Sequence, residues 1–201
     1  MTDFKLQMAS RLERCCSDVS DWCERKQLQL NAGKTEVPWF GSASQLRGLR
    51  PDTMHITINQ STIKPATVFR DLSVLFDGEL SMRQQVSRLS QTCFYHLRRL
   101  RSVSQQLGRD VTAKLVSAFV LSRLDCCNAV LTGLPASTLA PLQRDLNAAA
   151  RVEVGLGPRD HVTPSLCELH WLPIAARIDY NFAFWYTSRL LAKYRIILPN
   201  C

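Results

Sequence analysis

The feature that most limits the fold of this chain is the helical periodicity of apolar residues in two long segments. The first segment covers about residues 3 to 26, and the second begins at Ser81 and Gln84, which have the spacing of a capping box. At 1.5 Å per residue, the second helix would be roughly 40 Å long. The two apolar stripes consist of Phe4, Met8, Leu12, Cys15, Val19 and Trp22, and of Val86, Leu89, Cys93, Leu97, Leu100 and Leu107.

Helix-start signals predict four further helices after residue 108. Asp110 would cap a helix that continues to about residue 131, and Ser137 would cap one that continues to about residue 154. A short helix is expected at residues 164–169, and Pro173 begins a last helix that is rich in aromatic residues. Helices therefore dominate the expected fold.

Strand candidates are confined to residues 28–76 of the sequence. Residues 55–58 and 62–64 flank Asn59 and Gln60 as the two strands of a hairpin would. The other candidates are residues 28–30, 37–40 and 68–76, whereas residues 41–53 are predicted to be a loop. The sequence thus predicts an α+β fold that is predominantly helical.

The positive charge of the chain is concentrated in its middle. The formal net charge is +8, yet the segment from residue 1 to 40 is neutral, and residues 82–124 contain eight basic residues and one acid, Asp110. Solvated helices usually mix both signs, so this composition favours contact with RNA–DNA or DNA duplexes over an ordinary solvated face. The candidate nucleic-acid-binding residues on the second long helix are Arg83, Arg88, Arg98, Arg99 and Arg101.

The cysteine pattern favours reduced thiols. The eight cysteines include no C-x-x-C motif, and His161, Cys167 and His170 lack a fourth ligand and the paired spacing of a zinc site, so core or capping roles are expected. No secretory leader follows Met1 and no apolar run is long enough to cross a membrane. The expected location is cytoplasmic or nuclear, with no membrane partner.

Six short sequence motifs, in order, resemble one protein family. They cover nearly the whole chain and match the region of non-LTR (LINE-type) retrotransposon reverse transcriptases that extends from just behind the catalytic palm strands through the thumb. The motifs are LNAGKTE at 30–36, RDLSV at 70–74 with Asp77 and Leu80-Ser81, SRLDCCN at 122–128, GLP at 133–135, NAAAR at 147–151 and LHWLP at 169–173.

The resemblance implies two domains. Residues 1–78 would be a residual palm edge of one helix and about three short strands, and residues 79–201 would be a thumb-like helical bundle. Lys34 would be the palm lysine near the incoming nucleotide, although we expect it to be a vestigial, solvated turn lysine here. Leu72, Ser73 and Val74 would correspond to the primer grip, with Ser73 where the family usually has glycine.

The resemblance also implies that the chain begins beyond the catalytic aspartates. The intact family enzyme would use Mg²⁺ held by clustered carboxylates, but this sequence contains no Asp-Asp pair. We therefore expect no enzyme activity and no cofactor: the chain would be a non-catalytic fragment of an RNA-directed DNA polymerase with sequence-independent template-primer binding. Two alternatives stay open, a helical protein-interaction module and a decayed element with no selected function.

The protein-interaction alternative rests on the aromatic residues of the last helix. These residues could dock another protein or stack on bases, but their spacing favours a buried helix face, which the end of the helix near Cys201 would leave partly exposed. They are Tyr180, Phe182, Phe184, Trp185 and Tyr186.

Overall fold

The chain folds into a predominantly helical α+β structure, as predicted. The computed structural model describes residues 2–48, 56–58, 61–157 and 159–197, with 66% of residues helical and 9% in strands. Two compact units divide the chain, Met1–Ser81 (the first unit) and Met82–Cys201 (the second unit). None of the helices in the described residues is long and apolar enough to cross a membrane.

The first unit begins with helix α1 (Thr2–Arg25), which confirms the first predicted helix. Ser20 and Cys23 on this helix are buried. Most of the predicted apolar stripe that the structure describes stays open to solvent, because Met8, Val19 and Trp22 are 46%, 45% and 53% exposed.

In the described residues, six short strands follow, in three separate two-stranded sheets. The two predicted strands of the hairpin around Asn59 and Gln60 are present and paired, which confirms the hairpin. The two turn residues themselves lie outside the described residues. The pairs are β1 (Val37–Pro38) parallel to β4 (Pro65–Ala66), β2 (Ile56–Ile58) antiparallel to β3 (Ser61–Ile63), and β5 (Val68–Asp71) antiparallel to β6 (Val74–Asp77).

Three other predictions for this region are wrong in whole or in part. Residues 28–30 form no strand, and the predicted strand at 37–40 shrinks to the two residues of β1. The predicted loop at 41–53 contains helix α2 (Ala43–Arg47) in its described part. Ser42 and Gln45 start this helix with a reciprocal capping box, in which the Ser42 N–H donates to Gln45 Oε1 at 2.9 Å.

The predicted single strand at 68–76 is a hairpin. Leu72 and Ser73 form its two-residue turn, with φ angles of 42° and 75°. Tight turns of this kind need positive φ at both central residues, and their sequence signature is Asn-Gly or Asp-Gly. Because Leu-Ser carries no such signature, the sequence pattern reads as one continuous strand. Phe69 and Phe76 stack across the hairpin with ring centroids 5.3 Å apart.

The second unit is built from helices that follow the order expected from the sequence. Its predicted short helix and its last helix are both confirmed. The elements are α3 (Arg83–Leu107), α4 (Arg109–Val116), a π-helical turn (Ser117–Leu121), α5 (Ser122–Asp125), a 3₁₀ segment (Asn128–Leu131), α6 (Ala136–Val154), α7 (Thr163–Glu168) and α8 (Ile174–Ile197).

The predicted helix caps in this unit are wrong. The residues at the N-cap positions of α3, α4 and α6 are Met82, Gly108 and Pro135, none of which makes a side-chain cap hydrogen bond. Ser81 instead donates from its backbone N–H and its hydroxyl to the Asp77 carboxylate, both at 2.8 Å. The helix expected from Asp110 to about residue 131 is also interrupted, since α5 ends at Asp125.

The core of the second unit lies between α3 and α6, the most extensive helix contact in the protein. Val86, Cys93 and Leu97 on the predicted stripe of α3 are buried, as are Leu142, Leu146, Ala149 and Ala150 on α6. Burial raises the pKa of the Cys93 thiol to about 12, so this thiol stays protonated and unreactive at neutral pH.

The two units should differ in local stability. In the described residues of the first unit, the buried apolar side chains are Cys23, Val37, Ile63 and Val74, whereas the second unit buries apolar residues on every helix from α3 to α8. We expect the amides of α3 and α6 to exchange with solvent at least roughly tenfold more slowly than those of α1. Hydrogen–deuterium exchange measures this difference, and equal protection in both units would contradict it.

Candidate nucleic-acid interface

The five candidate arginines of α3 are all exposed, but they lie on two different flanks of the helix. At about 100° per residue, Arg83, Arg98 and Arg101 fall within one sector of the helix. Arg88 and Arg99, eleven positions apart, share another sector that is turned well away from it. The basic surface predicted from the sequence is therefore two surfaces.

Arg83, Arg98 and Arg101 line the groove between α3 and α6. One hollow of about 540 Å³ has Arg83 and Ser87 on one wall and Ser137 and Arg144 on the other. A second hollow of about 720 Å³ is lined by Arg98, Arg101 and Phe94 from α3 and by Arg151 and Val152 from α6. We call these two hollows together the basic groove, and its cations are Arg83, Arg98, Arg101, Arg144 and Arg151.

The charged side chains that line the described part of the groove are all positive. None of the described residues that line its two hollows carries a carboxylate, and the uncharged polar lining consists of serine, threonine and glutamine side chains. Phe94, 61% exposed, adds an aromatic ring beside Arg98. A concave surface on which every charged side chain is positive concentrates positive potential and attracts polyanions.

The sequence did not reveal Arg144 and Arg151 as part of this surface. They lie seven residues apart on α6, which places them on one face, but α6 also contains acids. One of these acids, Asp145, is only 4% exposed and so does not face the groove. Burial raises the pKa of Asp145, while a hydrogen bond from Ser90 and the charge of Arg144 partly oppose this shift.

Arg151 has a structural contact as well as its place in the groove. Its Nη2 donates to the backbone oxygen of Asp160 at 3.3 Å. Its Nε is buried and has no hydrogen-bond partner among the described residues. Arg151 therefore fixes the chain that follows α6, which makes it a poor choice for testing binding alone.

The primer-grip-like residues lie in the first unit, at the tip of the hairpin of β5 and β6. Leu72 is 86% exposed and Val74 is 4% exposed. The Ser73 hydroxyl accepts from Arg70 Nη2 at 3.3 Å. Ser73 has a positive φ, which a glycine would adopt at no steric cost.

Lys34 ends a 3₁₀ turn, Ala32–Lys34, that begins directly after Asn31. Its backbone N–H donates to the Asn31 oxygen at 3.0 Å, and the side chain is exposed. His161, Cys167 and His170 are exposed too. The residues that the structure describes contain no cluster of three His, Cys, Asp or Glu side chains that could hold a metal ion.

The motif at 122–128 has a structural role that sequence reasoning missed. The Asp125 carboxylate accepts two hydrogen bonds from the Arg177 guanidinium on α8, one of them from Nη2 at 2.7 Å. The Asn128 Oδ1 accepts from Asn181 Nδ2 at 3.2 Å. We call Asp125, Asn128, Arg177 and Asn181 the α8 clasp, because these residues attach the start of α8 to the rest of the second unit.

The aromatic residues of α8 are exposed, so the expectation of a buried helix face is wrong for the part of the chain that the structure describes. Tyr180, Phe184 and Trp185 are 61%, 59% and 64% exposed. Phe182 and Tyr186 stack on each other, with centroids 6.4 Å apart. The aromatic side chains between residues 180 and 186 of α8 are therefore largely open to solvent.

Comparisons with protein-family models, with curated proteins and with solved structures found no match for this chain.

Proposed function

We propose that the second unit binds a nucleic-acid duplex through the basic groove, without reading its sequence. The observation that carries this proposal is the row of five arginines along the groove, with no carboxylate among the described lining residues. Arg83 and Arg101 are 18 residues apart on α3, or roughly 27 Å along the helix axis. About eight base pairs of a duplex have this length.

The chemistry of the groove favours phosphates over bases. Guanidinium groups form paired hydrogen bonds with phosphate oxygens, and such contacts position a duplex without specifying sequence. Four to six neutralised phosphates give a Kd of roughly 10⁻⁴ to 10⁻⁶ M at physiological salt.

In this proposal the chain is a non-catalytic fragment of a LINE-type reverse transcriptase. The first unit is the residual palm edge, with a vestigial Lys34 and a primer-grip-like turn at Leu72, Ser73 and Val74, and the second unit is thumb-like. The six ordered sequence motifs support this origin. Since the sequence holds no Asp-Asp pair for two-metal chemistry, the fragment binds template-primer without extending it.

The experiment that tests the proposal is a titration of the protein against a fluorescent 20-base-pair RNA–DNA duplex at 50 and 200 mM salt. Five phosphate contacts predict a slope of log K against log salt near −4.5, or a roughly 500-fold loss of affinity between the two salt concentrations. Duplexes of different sequence should bind equally. Absence of binding at 50 mM salt, or a slope near zero, would refute the proposal.

The exposed aromatic residues of α8 favour a second candidate, a protein-interaction module. In that case Phe182 and Trp185 would dock against another protein, and the basic groove would bind an acidic partner. A stable complex that buries these two rings, together with a failure to bind duplex, would favour this second candidate.

A further inference from the structure

The flank of α3 that carries Arg99 also carries a hollow, which shares Ser102 with the second hollow of the basic groove. Its volume is about 540 Å³, within the range of small-ligand pockets. It is lined by His96, Arg99, Leu100, Ser102, Val103 and Phe119.

Aromatic rings form one side of this region. His96 and Phe119 stack with centroids 5.1 Å apart and ring planes 13° from parallel. Tyr95 meets the His96 ring edge-on at 5.4 Å. Tyr95 and Phe119 are 55% and 40% exposed, so both side chains are partly open to solvent. We call Tyr95, His96 and Phe119 the aromatic platform.

Phe119 comes from the π-helical turn Ser117–Leu121. Such turns are rare, and they occur often at functional sites. Within this turn Val120 and Leu121 enter the core, while the larger Phe119 stays at the surface beside His96. The backbone irregularity therefore presents a large aromatic ring to solvent without loss of core packing.

Two arginine side chains lie near the aromatic platform. The Arg99 guanidinium lies 5.6 Å from the Tyr95 ring centroid, and its Nη1 donates to the Tyr95 hydroxyl at 2.8 Å. Burial lowers the pKa of His96, and the charges of Arg123 and Arg99 lower it further. His96 is therefore neutral at neutral pH, and the positive charge beside the rings comes from the two arginines.

We propose that the aromatic platform and Arg99 form a stacking site for an unpaired nucleotide of a single strand. The inference rests on the proposed function, since the strand would continue from the duplex in the basic groove. Exposed rings bind bases of any sequence through their π faces, at roughly 1–3 kcal/mol per base, and Arg99 binds the adjoining phosphate. A helix is only about 10 Å wide, so a few nucleotides span from the groove to the platform.

The test compares two probes, a fluorescent single-stranded dT12 and a blunt RNA–DNA duplex. The double variant Tyr95→Leu with Phe119→Leu keeps apolar volume but removes both π faces. It should bind dT12 about tenfold more weakly than wild type, and blunt duplex within about twofold of wild type. The matched control, Tyr180→Leu with Phe184→Leu, removes two exposed rings of α8 and should change neither affinity.

A second variant, Arg99→Gln, covers the case in which the double variant misfolds. It should weaken dT12 binding about threefold to fivefold through loss of one phosphate contact. Unchanged dT12 binding by both the double variant and Arg99→Gln would overturn the inference. Duplex binding by the wild type in the same experiment would still uphold the proposed function. If the wild type binds neither probe, both proposals fail together.

Discussion

Replacing Arg98, Arg101 and Arg144 together by alanine should weaken duplex binding about a hundredfold at physiological salt. The slope of log K against log salt should become shallower by about 2.7, because each lost phosphate contact removes about 0.9. All three side chains are exposed, and all line the basic groove. The measurement is the fluorescence titration at two salt concentrations. Arg151 is left intact because its replacement would also remove its contact with Asp160, so that an effect on folding would add to the effect on binding.

The matched control removes the same charge from a different surface. Arg11, Arg14 and Arg25 are exposed on α1 in the first unit, and their joint replacement by alanine lowers the net charge by the same amount. We expect this control to lose less than about threefold in affinity, because none of these three arginines lines the basic groove and salt screens charges that make no direct phosphate contact. Equal losses in the two triple variants would mean that net charge, and not the groove, drives binding.

Replacing Arg177 by alanine should destabilise the second unit by about 2 kcal/mol, roughly a thirtyfold change in the unfolding equilibrium. The side chains of Arg177 and Asp125 are only 18% and 34% exposed. Loss of the guanidinium leaves a half-buried carboxylate without its bidentate partner, and such a group is costly to keep charged. Urea denaturation followed by circular dichroism measures the free energy of unfolding.

A second ion pair, among the described residues of the second unit, provides the control. Arg109 and Glu168 are 3.2 Å apart, but their side chains are 58% and 62% exposed. Replacing Arg109 by alanine should cost less than about 0.5 kcal/mol, as exposed pairs usually do. A double-mutant cycle between Arg177 and Asp125 isolates their coupling. Equal costs for the two arginine variants would show that the α8 clasp adds nothing beyond a surface ion pair.

Long amphipathic helices were the part of the fold that could be predicted. Periodic apolar residues identified α1 and α3 because each helix presents one apolar face with regular spacing. Helix starts were harder, since a side chain that can cap a helix can also bond elsewhere. Ser81 has the spacing of a cap, but it bonds to Asp77, and that preference depends on a carboxylate that only the folded turn brings close.

The candidate site could be predicted only in part. The arginines of α3 belong to one helix, so a helical wheel is enough to find them. Their partners Arg144 and Arg151 come from α6, and the pairing of these two helices depends on side-chain packing that no local pattern encodes. The same limit hid the contact of Asp125 with Arg177, which are 52 residues apart in sequence.

The π-helical turn makes the length of this segment as important as its composition. Deleting one residue between Ser117 and Leu121 would restore a regular α-helix and leave the helix after it in nearly the same register, because a π turn holds one residue more than an α turn. Leu124, now 2% exposed, would stay in the core, and Asp125 would stay beside Arg177. A single in-frame codon loss in this segment would thus remove the turn that presents Phe119 beside His96, whereas the attachment of α8 would be kept.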